Sequence, residues 1–206
     1  MYVQHERLFV NPGWQKTAEE RAGQILDVQK RSSGFFSSVH LNYLGDRTSY
    51  LIIRLWDSSE SVTKFATGPE FKALAGSRTP GVYSAPGAMT FYDVAHQEPL
   101  KSRPNYALTE EIDLHHGSGR AWEEHEKSVY PLFSSAGGFI GMHNFRYLGD
   151  PDHYIRASYW DSLDALDAHF AAQSTKGWYA ALPADFLHNP IRRLHYRVTN
   201  YANVQE

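Results

Sequence analysis

The sequence predicts an α+β protein: two tandem ferredoxin-like repeats, each of the order β-α-β-β-α-β, that close into one pseudo-symmetric α+β barrel. Three observations predict this fold. The two halves of the chain match each other at one constant offset of 104 residues. Apolar and polar residues alternate in the segments expected to be strands. Ser and Asp residues stand where helices are expected to begin.

The internal repeat is visible in four short matches that share this offset without a gap. Gly34-Phe35 matches Gly138-Phe139, and Tyr50 matches Tyr154. The segment Tyr-Leu-Gly-Asp occurs at 43–46 and again at 147–150, and Trp-Asp-Ser occurs at 56–58 and 160–162. Because the offset is kept through a turn, a strand and a helix start, these matches indicate a duplication.

Each repeat contains the same elements in the same order. First strands are predicted at 2–10 and 106–114, and helices follow at 15–30 and 119–133. Hairpins at 35–56 and 139–160 have Gly-containing loops. Second helices begin at the N-cap signals Asp57-Ser58-Ser59 and Asp161-Ser162 and run to about 67 and 172. The repeats end with short helices at 69–75 and 175–182 and with strands at 87–95 and 191–201.

The repeats divide the chain into a first repeat at 1–96, a linker at 97–105 and a second repeat at 106–206. The linker contains two prolines and two basic residues. A four-stranded sheet of this type has helices on one face and leaves the other face bare. Two repeats in one chain can bury their bare faces against each other, which predicts the barrel.

Composition excludes several classes of function. The net charge of −3 comes from interspersed charges, so no basic surface for nucleic acid is expected. Cys is absent, which excludes disulfides and Cys-ligated metal sites. His115 and His116 are adjacent on a predicted strand and point to opposite faces, so no metal site is expected there. No signal peptide and no stretch of roughly 20 apolar residues is visible, so a soluble cytoplasmic protein is expected.

The segments 50–58 and 160–170, each containing Trp-Asp-Ser, resemble the antibiotic biosynthesis monooxygenase superfamily of dimeric α+β barrel proteins. Val10-Asn11-Pro12-Gly13 is similar to the end of that family's first strand. The resemblance covers nearly the whole chain as two tandem domains. Members of this superfamily include cofactor-independent oxygenases of polycyclic phenols, heme-degrading monooxygenases, ring-cleaving oxygenases that use reduced flavin, and many proteins with no known reaction.

Heme degraders of this superfamily use an Asn on the first strand, a Trp at the end of the third strand and a His on the following helix. The resemblance places Trp56 and Trp160 at the Trp position. It places His169 at the His position of the second repeat, where the first repeat has Phe65. Glu6 and Glu110 stand at the Asn position, and this departure argues against heme degradation.

The second repeat is predicted to contain the active pocket, and the first repeat to be a scaffold with a degenerate pocket. If Tyr147 pairs with Tyr154, one face of the second hairpin presents a His, an Arg and a Ser among aromatic residues, where the first repeat is mainly apolar. Unpaired polar groups are costly to bury, so this face is expected to line a pocket. The predicted catalytic residues are His143, Arg156, Glu110 and His169, and the predicted substrate-binding residues are Trp160, Phe145, Tyr147, Tyr154 and Ser158.

Each predicted catalytic residue also has a structural interpretation. Glu110 is either a general base with a raised pKa or the partner of Arg156 in a buried ion pair. His143 is either a base or a satisfied core histidine. His169 is either a site residue, as the resemblance implies, or an ordinary helix residue.

The function predicted from these features is a monooxygenase that acts with O₂ on a flat aromatic or phenolic, polyketide-like small molecule. His143 or Glu110 would remove a phenolic proton, and Arg156 would stabilise the oxyanion. No cofactor is expected, with heme or reduced flavin as alternatives. The alternative functions are a heme-binding or heme-degrading protein that uses a His of the second repeat, and a non-redox binding protein, isomerase or cyclase. Nucleic-acid and membrane partners are not expected, and the chain is expected to be a monomer or a homodimer.

Overall fold

The computed structural model describes residues 1–77, 79–183 and 185–204. The first half contains β1 (Tyr2–Phe9), α1 (Gln15–Lys30), β2 (Phe35–Tyr43), β3 (Ser49–Trp56), α2 (Ser59–Thr67), α3 (Pro69–Gly76) and β4 (Ala88–Glu98). The second half contains β5 (Tyr106–Asp113), α4 (Gly119–Glu126), α5 (Tyr130–Ser134), β6 (Phe139–Tyr147), β7 (His153–Trp160), α6 (Leu163–Ala171), α7 (Gln173–Ala180) and β8 (Arg192–Asn203).

The structure confirms the offset of the repeat in nearly every element. The first strands, the hairpins and the short third helices begin and end 104 residues apart. Even the isolated bridge between Val10 and Tyr83 recurs between Leu114 and Leu187. One prediction is wrong: the helix predicted at 119–133 is broken into α4 and α5. Pro131 lies in the first turn of α5, and because a proline interrupts the middle of a helix but fits its first turn, a new helix begins there.

The conserved Gly-Phe and Trp-Asp-Ser matches have a common structural cause. Ser58 and Ser162 cap α2 and α6 by accepting a hydrogen bond from the backbone N–H three residues later. Gly34 and Gly138 have positive φ angles of 81° and 78°. A Cβ atom at Gly138 would lie 2.4 Å from the carboxylate oxygen of Asp161, so the glycine is required where the two segments meet.

The eight strands are hydrogen-bonded in the order β1-β3-β2-β8-β5-β7-β6-β4, which closes the predicted barrel. The described hairpin pairs are antiparallel. The chain divides into two compact units. The first unit is Met1–Tyr92 together with the chain from Tyr196 onward, and the second unit is Asp93–His195. The boundaries of the two units fall inside β4 and β8, and the predicted division at the linker 97–105 stays a prediction.

The predicted register of the second hairpin is wrong by one residue. Tyr154 pairs with Arg146, not with Tyr147, and Arg156 pairs with Asn144. The loop between the strands, 148–152, contains an Asx turn, in which the side chain of Asp150 accepts a hydrogen bond from the N–H of Asp152. A shift of one residue moves side chains to the opposite face of the sheet. His143 and Phe145 therefore lie on the face opposite Arg156.

Candidate active site

A cavity of about 490 Å³ lies in the first unit, and we call it the first-unit cavity. Its volume is within the range of small-molecule sites, about 300–1,000 Å³. β1 and β3 supply one wall, and helices α1, α2 and α3 supply residues opposite. The lining is mainly apolar and includes the aromatic side chains of Phe65, Phe71, Tyr83 and Phe91. Such a lining fits a flat apolar ligand.

Three polar side chains of the first-unit cavity, Gln4, Glu6 and Arg54, lie on the sheet wall. Arg54 Nη1 lies 2.7 Å from Glu6 Oε2, and Glu6 retains 19% of its side-chain exposure, whereas Arg54 is buried. Gln4, the strand partner of Arg54, donates a hydrogen bond from its amide nitrogen to the sulfur of Met89 at 2.7 Å. The cavity thus combines an apolar volume with one ion pair whose carboxylate stays accessible.

The mouth of the cavity lies where lining residues are exposed. On α2 these are Thr63, Ala66 and Thr67. On the segment leading into β4, Pro86 and Gly87 are exposed, and Met89 is 48% exposed. A Cβ atom at Gly87 would lie 2.8 Å from a methyl carbon of Leu8 and 3.1 Å from Glu6 Oε1, so the backbone of this segment closely approaches Glu6.

The second unit has a buried ion-pair network at the corresponding place. Arg156 donates from Nε to Glu110 at 2.8 Å, from Nη1 to Glu126 at 2.7 Å and from Nη2 to the hydroxyl of Tyr179 at 2.6 Å. The Tyr179 hydroxyl donates to the second oxygen of Glu110 at 2.6 Å, and Arg193 donates to the same oxygen at 2.9 Å. Both carboxylates and the Arg156 guanidinium are buried.

The charges in this network determine its protonation. Burial alone would raise the pKa of Glu110, but the guanidinium groups of Arg156 and Arg193 outweigh burial and hold the pKa below its usual range. Burial raises the pKa of Glu126 to about 7, although Arg156 acts against that rise. Glu110 therefore lacks the raised pKa predicted for a general base, and its ion pair with Arg156 corresponds to the structural interpretation.

Four members of the network replace smaller or apolar cavity residues of the first unit. At the constant offset, Glu126 corresponds to Ala22, Arg156 to Ile52, Tyr179 to Ala75 and Arg193 to Met89. Phe170, whose ring lies 6.0 Å from that of Tyr179, likewise corresponds to Ala66. The side chains of the second unit thus occupy positions that border open volume in the first unit.

The structure separates His143 from the other predicted catalytic residues. Its ring lies on the opposite face of the sheet from Arg156 and stacks on Phe145 at 5.4 Å. Its Nδ1 lies 3.4 Å from the hydroxyl of Tyr159. Burial, and to a lesser extent His96, lowers the pKa of His143 to about 3. Phe145 is therefore a neighbour of His143 and not of Arg156, and Tyr147 contacts His153 instead.

His169, Trp160 and Ser158 do lie together in the second unit. The His169 ring is 5.1 Å from Trp160 and 4.4 Å from Phe133, and burial lowers its pKa to about 4. The Trp160 indole donates to Ser158 at 3.0 Å. Tyr154 donates to Glu123 at 2.9 Å. The roles predicted for these residues stay predictions, since their contacts are compatible with packing alone.

Sequence reasoning missed the first-unit cavity, although the sequence contains its signal. The alignment of the repeats sets Ala18, Ala22, Ala66 and Ala75 against Trp122, Glu126, Phe170 and Tyr179. Four large side chains in one repeat against four alanines in the other indicate different packing of the same space. The prediction of a pocket in the second repeat depends instead on the polar residues of its hairpin, and it stays a prediction.

The sequence profile of the antibiotic biosynthesis monooxygenase family matches residues 1–76 and again residues 106–181. The chain belongs to this family. The two matches cover the two repeats, so the chain contains the family domain twice, as the Trp-Asp-Ser segments predict. No curated protein gives a significant sequence match.

Solved structures share the fold of this family member over nearly its whole length. A candidate monooxygenase from Fusobacterium nucleatum has a TM-score of 0.84 at 12% identity and covers 98% of this chain and 94% of its own. An anthrone oxidase-like protein has a TM-score of 0.68 at 19% identity, over 100% and 94% of the two chains. A heme-degrading enzyme from Listeria monocytogenes has a TM-score of 0.55 at 10% identity, over 96% and 99%. At these identities the likeness shows the fold alone.

Members of this family often act without a cofactor, although one structural relative degrades heme. The residues present do not fit a heme site of that kind. Among the described residues that line the first-unit cavity there is no His, and Phe65 stands at the position where the resemblance expects one. In the second unit, the His169 ring packs against Phe133 and Trp160, and Glu110, at the position where the resemblance expects an Asn, is bonded to Arg156.

Metal clusters and membrane-spanning helices are both absent from the described part of the chain. No group of three or more His, Cys, Asp or Glu residues there could hold a metal ion. No helix there is long and apolar enough to cross a membrane.

Proposed function

We propose that this protein is a monooxygenase of flat, ionisable aromatic small molecules and that the substrate binds in the first-unit cavity. The observation that carries the proposal is the position of the Glu6–Arg54 pair, 2.7 Å apart, on the wall of an aromatic-lined cavity of about 490 Å³. An apolar volume with a few convergent polar groups is the usual form of a small-molecule site.

The chemistry follows from the charges of this pair. Glu6 is ion-paired and partly exposed, so its carboxylate can accept the proton of a phenolic or enolic hydroxyl. Arg54 offsets the negative charge that develops on the ring, and a fixed cation is most effective where water is excluded. The resulting electron-rich ring carbon reacts with O₂. For an anthrone, the CH₂ carbon becomes a carbonyl carbon; one oxygen atom enters the product and the other leaves as water.

The second unit remains the alternative location, with His143, Arg156, Glu110 and His169 as predicted. The register argues against it, because His143 and Arg156 lie on opposite faces of the sheet. The ion pairs argue against it too, because Arg156 already bonds Glu110, Glu126 and Tyr179 and has no free role as an oxyanion partner.

Oxygen uptake with 1,8-dihydroxyanthrone as the probe tests the proposal. The probe is chosen because one structural relative is described as anthrone oxidase-like. We expect the purified protein to accelerate oxygen consumption and Glu6→Gln to slow it by about 10²-fold or more, since general base catalysis contributes about 10²–10⁴-fold. Assays with and without reduced flavin distinguish the two oxygenase types.

The matched control is Glu111→Gln, which changes the neighbouring carboxylate of Glu110 in the second unit and leaves the cavity untouched. It should retain the wild-type rate. A wild-type rate in Glu6→Gln, together with loss of the rate in Arg156 variants that remain folded, would move the site to the second unit. A hemin titration provides a separate readout: a saturable Soret shift would contradict the absence of a fitting heme ligand.

A further inference from the structure

A row of three residues crosses the sheet of the first unit beside the cavity. Glu6 on β1 pairs with Ile52 on β3, and Ile52 pairs with His40 on β2. Residues that are directly paired across antiparallel strands place their side chains on the same face. The row therefore presents a carboxylate and an imidazole on either side of one aliphatic side chain.

His40 is a buried polar side chain without a partner. It is 1% exposed, and neither ring nitrogen has a hydrogen-bond partner among the described residues. Burial, with a smaller contribution from Arg54, lowers the pKa of His40 to about 3, so the imidazole is neutral and has one donor and one acceptor nitrogen. Buried polar groups without partners are rare, and each requires an explanation.

A small void lies beside the His40 side chain. The void measures about 10 Å³ and is lined by His40, Ala22 and Ile52 among others. Ala22, Ile52, Leu8 and Tyr83 also line the first-unit cavity, so the two spaces share walls. A space of about 10–15 Å³ holds one water-sized group, such as a single oxygen.

The second unit indicates what this void would accept. Asn144 corresponds to His40, and its amide donates to a carboxylate oxygen of Glu126, which corresponds to Ala22. The polar group on β6 thus has an oxygen partner supplied by the protein. In the first unit the alanine removes that oxygen and leaves the imidazole facing the void.

We propose that His40 is a specificity-determining residue that hydrogen-bonds one of two ring hydroxyls while Glu6 bonds the other, so that the cavity selects 1,3-dihydroxy aromatics. Two strand spacings separate the backbones of Glu6 and His40 by about 10 Å, and their side chains rise from the same face of the sheet. With the two side chains parallel, a hydrogen bond of about 2.8 Å at each end leaves about 4–5 Å between the two ligand oxygens. Hydroxyls in 1,3 positions of a ring have this separation, and the ring between them rests on Ile52. The inference depends on binding in the cavity but not on oxygenation.

Calorimetric titration under argon tests it with three probes: 1,3-dihydroxynaphthalene, 1,5-dihydroxynaphthalene and 1-naphthol. The wild type should bind the 1,3-isomer about fivefold more tightly than either of the others, as one additional hydrogen bond implies. His40→Leu should abolish this preference without weakening the binding of 1-naphthol. If the His40→Leu variant does not fold, His40→Asn replaces it, because the second unit has Asn144 at this position. The shorter side chain of Asn should also reduce the preference.

The control is His143→Val, which removes another buried neutral imidazole and should keep the preference intact. Equal affinity of the wild type for all three probes, or an unchanged preference in both His40 variants, would overturn the inference and leave the cavity proposal standing. Failure of all three probes to bind would instead overturn the cavity proposal itself.

Discussion

The two units share their elements and their spacing but differ in the layer between sheet and helices. In the first unit this layer has alanines at 18, 22, 66 and 75 and borders a cavity of about 490 Å³. In the second unit Trp122, Glu126, Phe170 and Tyr179 occupy the corresponding positions, and Arg156 bonds both buried carboxylates. The same backbone can therefore border an open cavity or a packed core, depending on a few side chains.

This difference suggests a division of labour after duplication. A cavity forgoes packing contacts, so the unit that contains it loses stability relative to a filled one. The second unit is filled, but with charges whose burial is costly unless each is paired. Because Glu110 accepts from Arg156, Arg193 and Tyr179, the pairing there is nearly complete. The polar residues of the second-unit network are thus bonded to one another, whereas Glu6 of the first-unit ion pair keeps 19% of its side-chain exposure.

The largest expected effect comes from removing the centre of the second-unit network. Arg156→Ile introduces the residue that the first unit has at this position and leaves two buried carboxylates without their main partner. We expect it to lower the free energy of unfolding by about 3–5 kcal/mol, measured by urea denaturation. Arg192→Ile is the control, because the Arg192–Glu111 pair is exposed on the Arg192 side and should contribute less than about 1 kcal/mol.

A double variant sharpens the comparison of the two units. Arg156→Ile combined with Glu126→Ala reproduces the first-unit pair Ile52 and Ala22, and it leaves Glu110 bonded to Arg193 and Tyr179. Its stability should exceed that of Arg156→Ile alone, since one unpaired buried carboxylate has been removed. A double variant that is less stable than the single one would contradict the view that charge pairing dominates this layer.

The next prediction concerns a substitution that makes the first unit more similar to the second. Ala75→Tyr introduces the residue found at Tyr179 and places an aromatic ring against the first-unit cavity. We expect the affinity for 1,3-dihydroxynaphthalene to fall at least tenfold, because the ring occupies the ligand volume, while the melting temperature stays close to that of the wild type. Ala73→Tyr on the exposed side of the same helix is the control and should bind normally. Normal binding by Ala75→Tyr would place the ligand elsewhere.

Much of this comparison could be predicted from the sequence. The repeat offset, the strand segments and the cap residues Ser58 and Ser162 are local signals, and the structure confirms them. The family resemblance carried by Trp56 and Trp160 is confirmed as well. These features depend on residues that are close together along the chain, so the sequence pattern alone is enough to predict them.

The location of the candidate site could not be predicted in the same way. The face of His143 depends on a five-residue loop whose Asx turn at Asp150 moves the register by one residue. The open volume depends on the alanines of α1, α2 and α3, which are unremarkable in a single repeat. Only the sum of their small side chains, set against the same layer of the other repeat, distinguishes a cavity from a core.

A smaller effect concerns the acid stability of the interior. Burial lowers the pKa of His143 to about 3, whereas an unfolded imidazole titrates near 6.5. Between these values the unfolded chain binds a proton that the folded chain does not, so stability falls as the pH falls below about 6.5. His143→Val removes this contribution and should flatten the curve of unfolding free energy between pH 6 and pH 4 by about 1.4 kcal/mol per pH unit.

The exposed His188 provides the control for that measurement, since its ring is accessible to solvent in both states. His188→Val should leave the slope as it is in the wild type. The raised pKa of Glu126 has the opposite effect on stability. A carboxyl with a pKa of about 7 in the folded state binds its proton more tightly than in the unfolded state, so its contribution to stability is lost as the pH rises. An unchanged slope in His143→Val would mean that its imidazole is not neutral when folded.

The smallest effect tests a feature that the two units have in common. Ser58 and Ser162 accept hydrogen bonds of 3.3 and 3.2 Å from the third helical N–H of α2 and α6. Ser58→Ala and Ser162→Ala should each lower the free energy of unfolding by about 1 kcal/mol, as the loss of a helix N-cap does. Their effects on binding should differ, since Val62, Phe65 and Ala66 of α2 line the first-unit cavity, whereas α6 buries Leu166 and His169 in a packed layer. If both variants lose the same stability but only Ser58→Ala binds the ligand more weakly, the ligand binds in the first unit. If Ser162→Ala binds more weakly, the ligand binds in the second unit. Neither substitution alters a residue that touches the ligand.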